Sequence, residues 1–353
     1  MRVLFVDFPS ESQSLLHELR GYGCETANLP RDDGVQRLGR TGFGHLLSNL
    51  SAKCDVIYYT KFVSRGFEDF PPYVSGIKCR SILGFHTPVL IAHPDRSIYK
   101  LYNLIGSARL AMHKSLRVFD AFHSLNTQDQ AILSMMGFRT FLIPNGFDEV
   151  LFRPREKGHE EFTVIFTGSL YHKGADIAAR IAYALTRRHG DIRFLFVDGA
   201  KRTYMDNAVD YRQFFSESST ASVAAMDYIN RHEFAASLGR SHLLLFPSKW
   251  EASPKIVLEA LGCGCPVVCF DIPGPPCRLI SSQGTGYVAK PFDVNELARG
   301  ILTFYNLWKN RFDDYVELSH RCHKVSLMFS WKRLARRYLE MFELVRGLGD
   351  RRS

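Results

Sequence analysis

The sequence predicts an α/β protein built from two doubly wound domains. Short apolar runs alternate with amphipathic stretches of helical period, which is the pattern of parallel strands covered by helices on both faces. The alternation stops in the polar segment 152–161, which contains a proline, and then starts again. The chain has 353 residues, a length that suits two domains. We therefore predict one domain over 1–154, a second over 155–330, and a ligand site in the cleft that they face.

Each half of the chain supplies its own set of predicted elements. Apolar runs in the first half predict strands at 2–7, 56–60, 88–93, 121–126 and 140–145. In the second half, the corresponding runs lie at 162–168, 193–199, 242–248, 265–270 and 286–289. The clearest helical patterns of the second half lie at 174–188, 232–239, 254–262 and 293–308. Ligands of such sheets bind at the carboxyl ends of the strands, so the residues that follow each strand are the first candidates for a site.

Composition narrows the class of partner and the compartment. The formal net charge of +9 favours an acidic partner, such as phosphorylated ligands, nucleic acid or an anionic membrane. A predicted amphipathic helix at 98–119 carries basic residues and no acidic one, so it is either a solvated face or a lipid-binding surface. The sequence contains no run of about 18 uncharged apolar residues, so we expect no transmembrane helix. We expect a cytoplasmic protein with reduced thiols.

The segment 250–271 contains both carboxylates and thiols that could carry chemistry. Its cysteines, together with Cys277, lack the paired spacing of zinc ligands, and two of them flank an apolar strand. We interpret them as small packing residues and expect no metal site. Glu251 follows a predicted strand, and Glu259 lies in the helix that comes next. A carboxylate only accepts hydrogen bonds, so the pair suits the hydroxyls of a sugar or ribose, whereas the alternative is two solvated glutamates.

Two predicted helix starts add anion-binding capacity. Ser253 is a favourable N-cap, and Pro254 suits the first helical position. In the segment 166–174, Gly168 and Gly174 permit a tight turn, and Lys173 supplies a positive charge where the next helix begins. Such a helix start favours a phosphate, although glycine-containing turns between strands and helices are common.

Several motifs in order resemble one family of enzymes. They are "IPNGFD" at 143–148, "GSLYHKG" at 168–174, "PSKWEASPKIVLEALGCGCPVV" at 247–268, "GYVAKPFDVNELARGI" at 286–301 and "FSWKRLARRYLEMF" at 329–342. This set resembles the GT-B fold retaining glycosyltransferases of family 4, whose two glutamates are separated by seven residues. The resemblance implies two Rossmann-like domains, the first for the acceptor and the second for a nucleotide-sugar donor. It also implies that a terminal helix, 331–348, packs back on the first domain.

The resemblance further implies a role for individual residues. Glu251 matches the glutamate that contacts the donor sugar, and Glu259 matches the glutamate that binds the ribose. Lys173 matches the lysine that neutralises the donor diphosphate, and His93 matches a histidine near the reacting sugar. The remaining donor-binding positions are Gly168, Ser169, Ala252, Ser253, Pro254 and Lys255.

Two departures from the family pattern concern the phosphate and acceptor sides. Ser169 stands where the family has an arginine, so His172 or Lys255 becomes the candidate for the missing phosphate contact. The loop after the first strand lacks the usual glycines, and Ser10 and Ser12 are the candidates for replacing them.

The resulting expectation is a retaining glycosyltransferase of the hexosyltransferase class (EC 2.4), acting in envelope polysaccharide or glycolipid biosynthesis. It would use a nucleoside diphosphate sugar and a glycan or lipid-linked acceptor, with no cofactor and no metal, since no D-x-D sequence occurs. We do not expect nucleic acid as a partner, because the basic residues are dispersed and lack an aromatic-basic module. The alternatives are a GT-B epimerase or phosphorylase, or a non-catalytic basic protein. Peripheral attachment to the inner face of a membrane is a further possibility.

Overall fold

The chain divides into two compact units. A computed structural model describes residues 1–9, 12–29, 42–61, 77–86, 114–168, 171–197, 222–226, 229–272 and 275–349. Unit 1 consists of Met1–Gly146 and Trp331–Ser353, and unit 2 of Phe147–Ser330. The division falls before the predicted boundary at 154, because Phe147 and Phe152 are both fully buried in the core of unit 2.

The described strands of unit 1 form one parallel sheet. Its order is β2-β1-β3-β4-β5-β6, and every neighbouring pair is parallel. The strands are β1 (Arg2–Val6), β2 (Glu25–Leu29), β3 (Val56–Lys61), β4 (Arg80–Phe85), β5 (Ala121–Ser124) and β6 (Thr140–Leu142). The helices between them are α1 (Gln13–Gly21), α2 (residues 42–51) and α3 (Thr127–Met135).

The last helix of the chain, α10 (Trp331–Arg346), belongs to unit 1 and covers one face of this sheet. Its apolar residues recur at intervals of three and four and are buried with α1 and β1. At its end, Arg80 Nη2 donates to the carbonyl of Gly349 at 2.9 Å, while Nη1 lies 3.0 Å from Asp120 Oδ1. Arg80, held in place by this partly buried ion pair, thus ties the chain that follows α10 to the start of β4. The buried residues of α10 that pack against α1 and β1 are Trp331, Leu334, Ala335, Tyr338, Met341, Phe342 and Val345.

Unit 2 repeats the same architecture. Its described strands form a parallel sheet of order β12-β11-β10-β7-β8-β9. They are β7 (Phe162–Thr167), β8 (Ile192–Val197), β9 (Val223–Met226), β10 (Leu243–Phe246), β11 (Val267–Phe270) and β12 (Gly286–Ala289). The helices are α4 (Ala175–Thr186), α5 (Arg231–Arg240), α6 (Lys255–Gly262), α7 (Pro275–Gln283), α8 (Val294–Asn310) and α9 (Phe312–Ser326).

The predicted fold class, two parallel α/β sheets with helices, is confirmed. The predicted strand at 88–93 lies outside the described residues, as does most of the predicted helix at 98–119. The described end of that helix, Lys114–Val118, is a 3₁₀ helix rather than an α-helix. Within the described ranges, no helix combines the length and the apolar character that crossing a membrane requires.

The strand order of unit 2 marks one edge of the sheet as a binding region. β7 and β10 are neighbours, but β7 continues to β8 on one side and β10 continues to β11 on the other. A ligand crevice forms where the strand order reverses, outside the carboxyl ends of the two strands. The loops that leave β7 and β10 therefore lie together, and Gly174 shows how closely. It has φ +76°, and a Cβ on it would lie 2.3 Å from the carbonyl oxygen of Pro247.

We expect Gly174→Ala to destabilise the protein more than an alanine at an exposed turn. The left-handed conformation alone costs roughly 1–2 kcal/mol for an L-residue, and the contact with the Pro247 carbonyl adds to that cost. Gly190→Ala is the matched control, because a Cβ there meets nothing within 4 Å. Thermal unfolding of both variants measures the difference. Equal melting temperatures for Gly174→Ala and the control would contradict the close approach of the two loops.

Candidate functional site

The loop that leaves β7 turns tightly and presents a lysine. Gly168 has φ +109°, and a Cβ on it would lie 3.1 Å from Cγ of Lys173. Residues Tyr171–Lys173 form a single 3₁₀ turn, and Gly174 then caps α4. The first predicted feature of the site, glycines that let Lys173 approach a helix start, is thus present in the structure. Ser169 lies outside the described residues.

The loop that leaves β10 brings Glu251 to this lysine. Lys173 Nζ lies 2.5 Å from Glu251 Oε1, and Ser248 Oγ donates to the same oxygen at 2.9 Å. The side chain of Glu251 is 11% exposed, whereas that of Lys173 is 29% exposed. Both contacts use Oε1 of Glu251, and neither uses Oε2. The negative charge of Glu251 is thus compensated by Lys173, and the lysine side chain still reaches solvent.

A second set of contacts holds the two loops together beside this pair. The ring of His172 stacks on Trp250 at 4.4 Å, and the backbone N–H of Lys249 donates to the carbonyl of His172 at 2.8 Å. Lys249 Nζ is buried, 3.8 Å from Asp176 Oδ1 in the first turn of α4. Sequence reasoning identified neither Trp250 nor Lys249, because their importance arises from contacts across the two loops.

His172 does not supply the positive charge that the sequence analysis considered for it. Burial, together with the neighbouring charges of Lys173 and Lys249, lowers the pKa of His172 to about 3. The imidazole is therefore neutral near physiological pH and packs against Trp250. Lys255, the other candidate for the phosphate contact that the family arginine makes, stays a prediction.

Helix α6 begins one residue later than predicted. Pro254, with ψ 113°, is the N-cap residue, and the helix runs from Lys255. The prediction of Ser253 as the N-cap is therefore wrong, since Pro254 still has extended backbone geometry. Ala252, Ser253 and Pro254 are all buried next to Glu251, and their proposed contacts with a donor stay a prediction.

Glu259 lies one turn into α6 and is 4% exposed. Arg231, the first residue of α5, donates from Nη2 to Glu259 Oε1 at 2.8 Å. The guanidinium of Arg231 also lies over the ring of Phe152 at 4.9 Å. A buried carboxylate needs such a partner, because an unpaired charge is costly to bury. The sequence offered one clue to Arg231: it follows Asn230, which forms a capping box with Glu233.

Unit 1 places a histidine at the carboxyl end of its fourth strand. β4 ends at Phe85, and His86 follows at once. His86 Nε2 lies 3.0 Å from the hydroxyl of Tyr58, and its ring contacts Phe8, which follows β1. His93, the histidine implied by the family resemblance, is the last residue of the predicted strand 88–93, and that strand lies outside the described residues. The sequence analysis missed β4 and therefore His86, because Gly84 interrupts the apolar run.

Four described thiols of unit 2 lie in its core. Cys263, Cys265, Cys269 and Cys322 are fully buried, and burial raises the pKa values of Cys263 and Cys322. These positions agree with the interpretation of the cysteines as packing residues. In the part of the chain that the structure describes, no three His, Cys, Asp or Glu side chains are grouped as metal ligands.

Most of the second unit is similar to a known protein family. Residues 147–321 match the family of glycosyl transferases group 1. A curated relative, the phosphatidylinositol N-acetylglucosaminyltransferase gpi3 subunit of Schizosaccharomyces pombe, is 26% identical over 62% of this chain and 46% of its own length. The alpha-D-kanosaminyltransferase of Streptomyces kanamyceticus is 27% identical over 39% of this chain and 35% of its own. The matches therefore span less than half the length of these relatives.

Solved structures resemble the chain over nearly its full length. Anabaena HepE, solved in complex with UDP and glucose, has a TM-score of 0.73 at 15% identity and covers 98% of this chain and 100% of its own. Sucrose-phosphate synthase from Thermosynechococcus elongatus has a TM-score of 0.72 at 15% identity, covering 98% and 99%. At these identities the likeness concerns the fold. The chain thus has the GT-B fold of two Rossmann-like α/β domains, and its residues 147–321 match the glycosyl transferases group 1 family.

Proposed function

We propose that this protein is a retaining glycosyltransferase that moves a sugar from a nucleoside diphosphate donor to a hydroxyl acceptor. The observation that carries the proposal is the meeting of Lys173 and Glu251 at the carboxyl ends of β7 and β10. It joins a cation for a diphosphate to a carboxylate for sugar hydroxyls, beside the start of α4. The family match and relatives named as glycosyltransferases support the same reaction class.

Lys173 would bind the diphosphate without losing Glu251. An ammonium group has three N–H donors, so one can stay on Glu251 Oε1 while another reaches a phosphate oxygen. The N–H groups at the start of α4 add positive potential at the same place. Together they would stabilise the charge that develops on the leaving nucleoside diphosphate. We propose a metal-independent reaction on the basis of these cationic groups and the absence of a D-x-D sequence.

The two glutamates would act on different parts of the donor. Glu251, through Oε2, would accept hydrogen bonds from hydroxyls of the transferred sugar. Glu259, buried and held by Arg231, would accept from the ribose hydroxyls. The neighbouring residues Gly168, Ser169, Ala252, Ser253, Pro254 and Lys255 complete the proposed donor site. We name no protein nucleophile for the retaining step.

The acceptor side would lie in unit 1. Because ligands of parallel sheets bind at the carboxyl ends of strands, His86 after β4 is the described histidine best placed to meet a substrate hydroxyl. We propose His86 in the role that the sequence analysis gave to His93. An envelope glycan or a lipid-linked acceptor is the proposed class of substrate, in line with the phosphatidylinositol named for two relatives.

Lys173→Ala should weaken the binding of nucleoside diphosphates but not of nucleosides. Losing one charge-assisted hydrogen bond of about 1.5–3 kcal/mol corresponds to tenfold or more in affinity. Isothermal titration with UDP, GDP and ADP, and then with the nucleoside of the diphosphate that binds best, measures the difference. Lys324→Ala is the matched control, since it removes an equal charge from an exposed face of α9. Equal weakening of nucleoside and diphosphate would show that Lys173 acts only on structure.

The two glutamates should give different kinetic phenotypes. Glu259→Gln should weaken the donor and the nucleoside alike, by tenfold or more, because the ribose loses a charged acceptor. Glu251→Gln should lower kcat without weakening the nucleoside diphosphate, because Lys173 then loses a competing carboxylate. Donor titration and steady-state transfer rates separate the two effects. Wild-type kinetics in both variants would remove the assignment.

We further propose peripheral attachment to an anionic membrane through unit 1, with the protein in the cytoplasm. The exposed face of α10 bears five basic residues against Glu340 and Glu343, and Leu344 beside them is 59% exposed. Each basic residue near an anionic surface contributes on the order of 1 kcal/mol, so binding would be reversible and sensitive to salt. The basic residues are Lys332, Arg333, Arg336, Arg337 and Arg346.

Co-sedimentation with vesicles tests this attachment. Wild-type protein should bind vesicles that contain phosphatidylserine at low salt, and should leave them at high salt or when the lipid is zwitterionic. A triple change of Lys332, Arg336 and Arg346 to Ser should reduce binding. The same change at Arg187, Arg188 and Arg240, exposed basic residues of unit 2, is the control. Absence of binding at low salt, or equal loss in both triple variants, would contradict the proposal.

A further inference from the structure

A chain of hydrogen bonds runs through the interior of unit 1 and ends on His86. The hydroxyl of Tyr58 lies 3.0 Å from His86 Nε2 and 2.5 Å from His123 Nδ1. His123 Nε2 in turn lies 2.7 Å from the carbonyl oxygen of Ile143. Tyr58 and His123 are both fully buried, whereas His86 is half-buried at the end of β4. Three side chains from three neighbouring strands are thus connected to one backbone carbonyl.

The carbonyl of Ile143 fixes the direction of every bond in this chain. A carbonyl only accepts, so His123 must carry its proton on Nε2. Burial lowers the pKa of His123 to about 4, which keeps its ring neutral and makes Nδ1 an acceptor. Tyr58 therefore donates its only proton to His123, and burial keeps that hydroxyl protonated by raising its pKa well above the ordinary value. The oxygen of Tyr58 can then only accept from His86, whose Nε2 must carry a proton.

The sheet leaves room for this chain at a single glycine. Gly84 in β4 lies opposite His123 in β5, and a Cβ on Gly84 would lie 2.1 Å from the Tyr58 hydroxyl. The rest of the Tyr58 ring is surrounded by aromatic side chains, including Phe5 at 5.4 Å and Phe342 at 6.1 Å. An apolar environment strengthens a satisfied hydrogen bond and makes an unsatisfied one costly. The arrangement therefore favours one direction of donation.

We propose that Tyr58 and His123 are positioning residues that hold His86 in the tautomer with its proton on Nε2. In that tautomer a neutral His86 presents Nδ1 as a hydrogen-bond acceptor at the carboxyl end of β4. Under the proposed function, on which this part of the inference rests, the group that it accepts from is a substrate hydroxyl. The opposite tautomer would present an N–H there, and a hydroxyl would have to bind it in the reverse sense.

The tautomer can be observed directly and does not depend on any activity. Two-bond proton–nitrogen correlation spectra of protein with 15N-labelled histidine distinguish a ring protonated at Nε2 from one protonated at Nδ1. The variants His86→Asn and His123→Asn assign the two sets of signals. We expect His123 to be neutral and protonated at Nε2 near neutral pH, and the neutral form of His86 to be protonated at Nε2 as well. A neutral His86 protonated at Nδ1, or a ring that averages between the two forms, would overturn the inference.

Tyr58→Phe then tests the link between the two histidines. It removes the hydroxyl and keeps the ring, so His86 should lose its preference for one tautomer. The kcat/KM of sugar transfer should fall about tenfold, because His86 loses the one hydrogen bond between uncharged groups that orients its ring. Tyr59→Phe is the matched control, since it removes a buried hydroxyl from the next residue of β3, whose ring packs in the cluster on the other face of the sheet. An unchanged His86 spectrum in folded Tyr58→Phe would also overturn the inference.

The outcomes separate this inference from the proposed function. Nucleoside diphosphate affinity depends on unit 2, so it should be the same in Tyr58→Phe and the wild type. If no transfer is found with any donor but the spectra show the expected tautomers, the function fails and the positioning of His86 stands. If transfer is found and folded Tyr58→Phe matches the wild type in kcat/KM, the role of the chain in the reaction is refuted.

Discussion

The close contact between the turn at Gly174 and the end of β10 is the constraint on which the candidate donor site depends. Only a residue without a Cβ can approach the Pro247 carbonyl in this way while its backbone has φ +76°. The approach brings the loops after β7 and β10 within hydrogen-bond distance of each other. Lys173 then reaches Glu251, and His172 stacks on Trp250. The strand order of unit 2 places the loops after β7 and β10 side by side, and Gly174 allows their backbones to come into close contact.

Charge compensation across separate elements is the second constraint. Glu251 receives a lysine from the loop after β7, and Glu259 receives an arginine from the start of α5. Neither carboxylate could be buried alone without a large loss of hydration. A carboxylate oxygen accepts hydrogen bonds, which is what the hydroxyls of a polyol need. The same contacts that stabilise unit 2 therefore prepare two acceptor groups for a ligand.

The sequence predicted the parts of this structure that depend on local pattern. The four clearest helices of the second half and the loop with Gly168, Lys173 and Gly174 were predicted from periodicity and turn residues. β2 was missed because it is a polar edge strand, and β4 because Gly84 interrupts it. Arg231 and Lys249 could not be selected from sequence, since their partners are distant along the chain. Their roles arise from tertiary contacts.

Gly84 shows why a strand with weak local propensity belongs in the centre of unit 1. A glycine weakens a strand, but here it admits the Tyr58 hydroxyl between β4 and β5. The buried members of the resulting chain, Tyr58 and His123, are neutral, whereas the site of unit 2 is built from ion pairs. The difference follows from what each would bind: a diphosphate requires fixed positive charge, and a hydroxyl requires an oriented acceptor or donor. Under our proposal His86, held in one tautomer through Tyr58 and His123, would meet the second requirement without a buried charge.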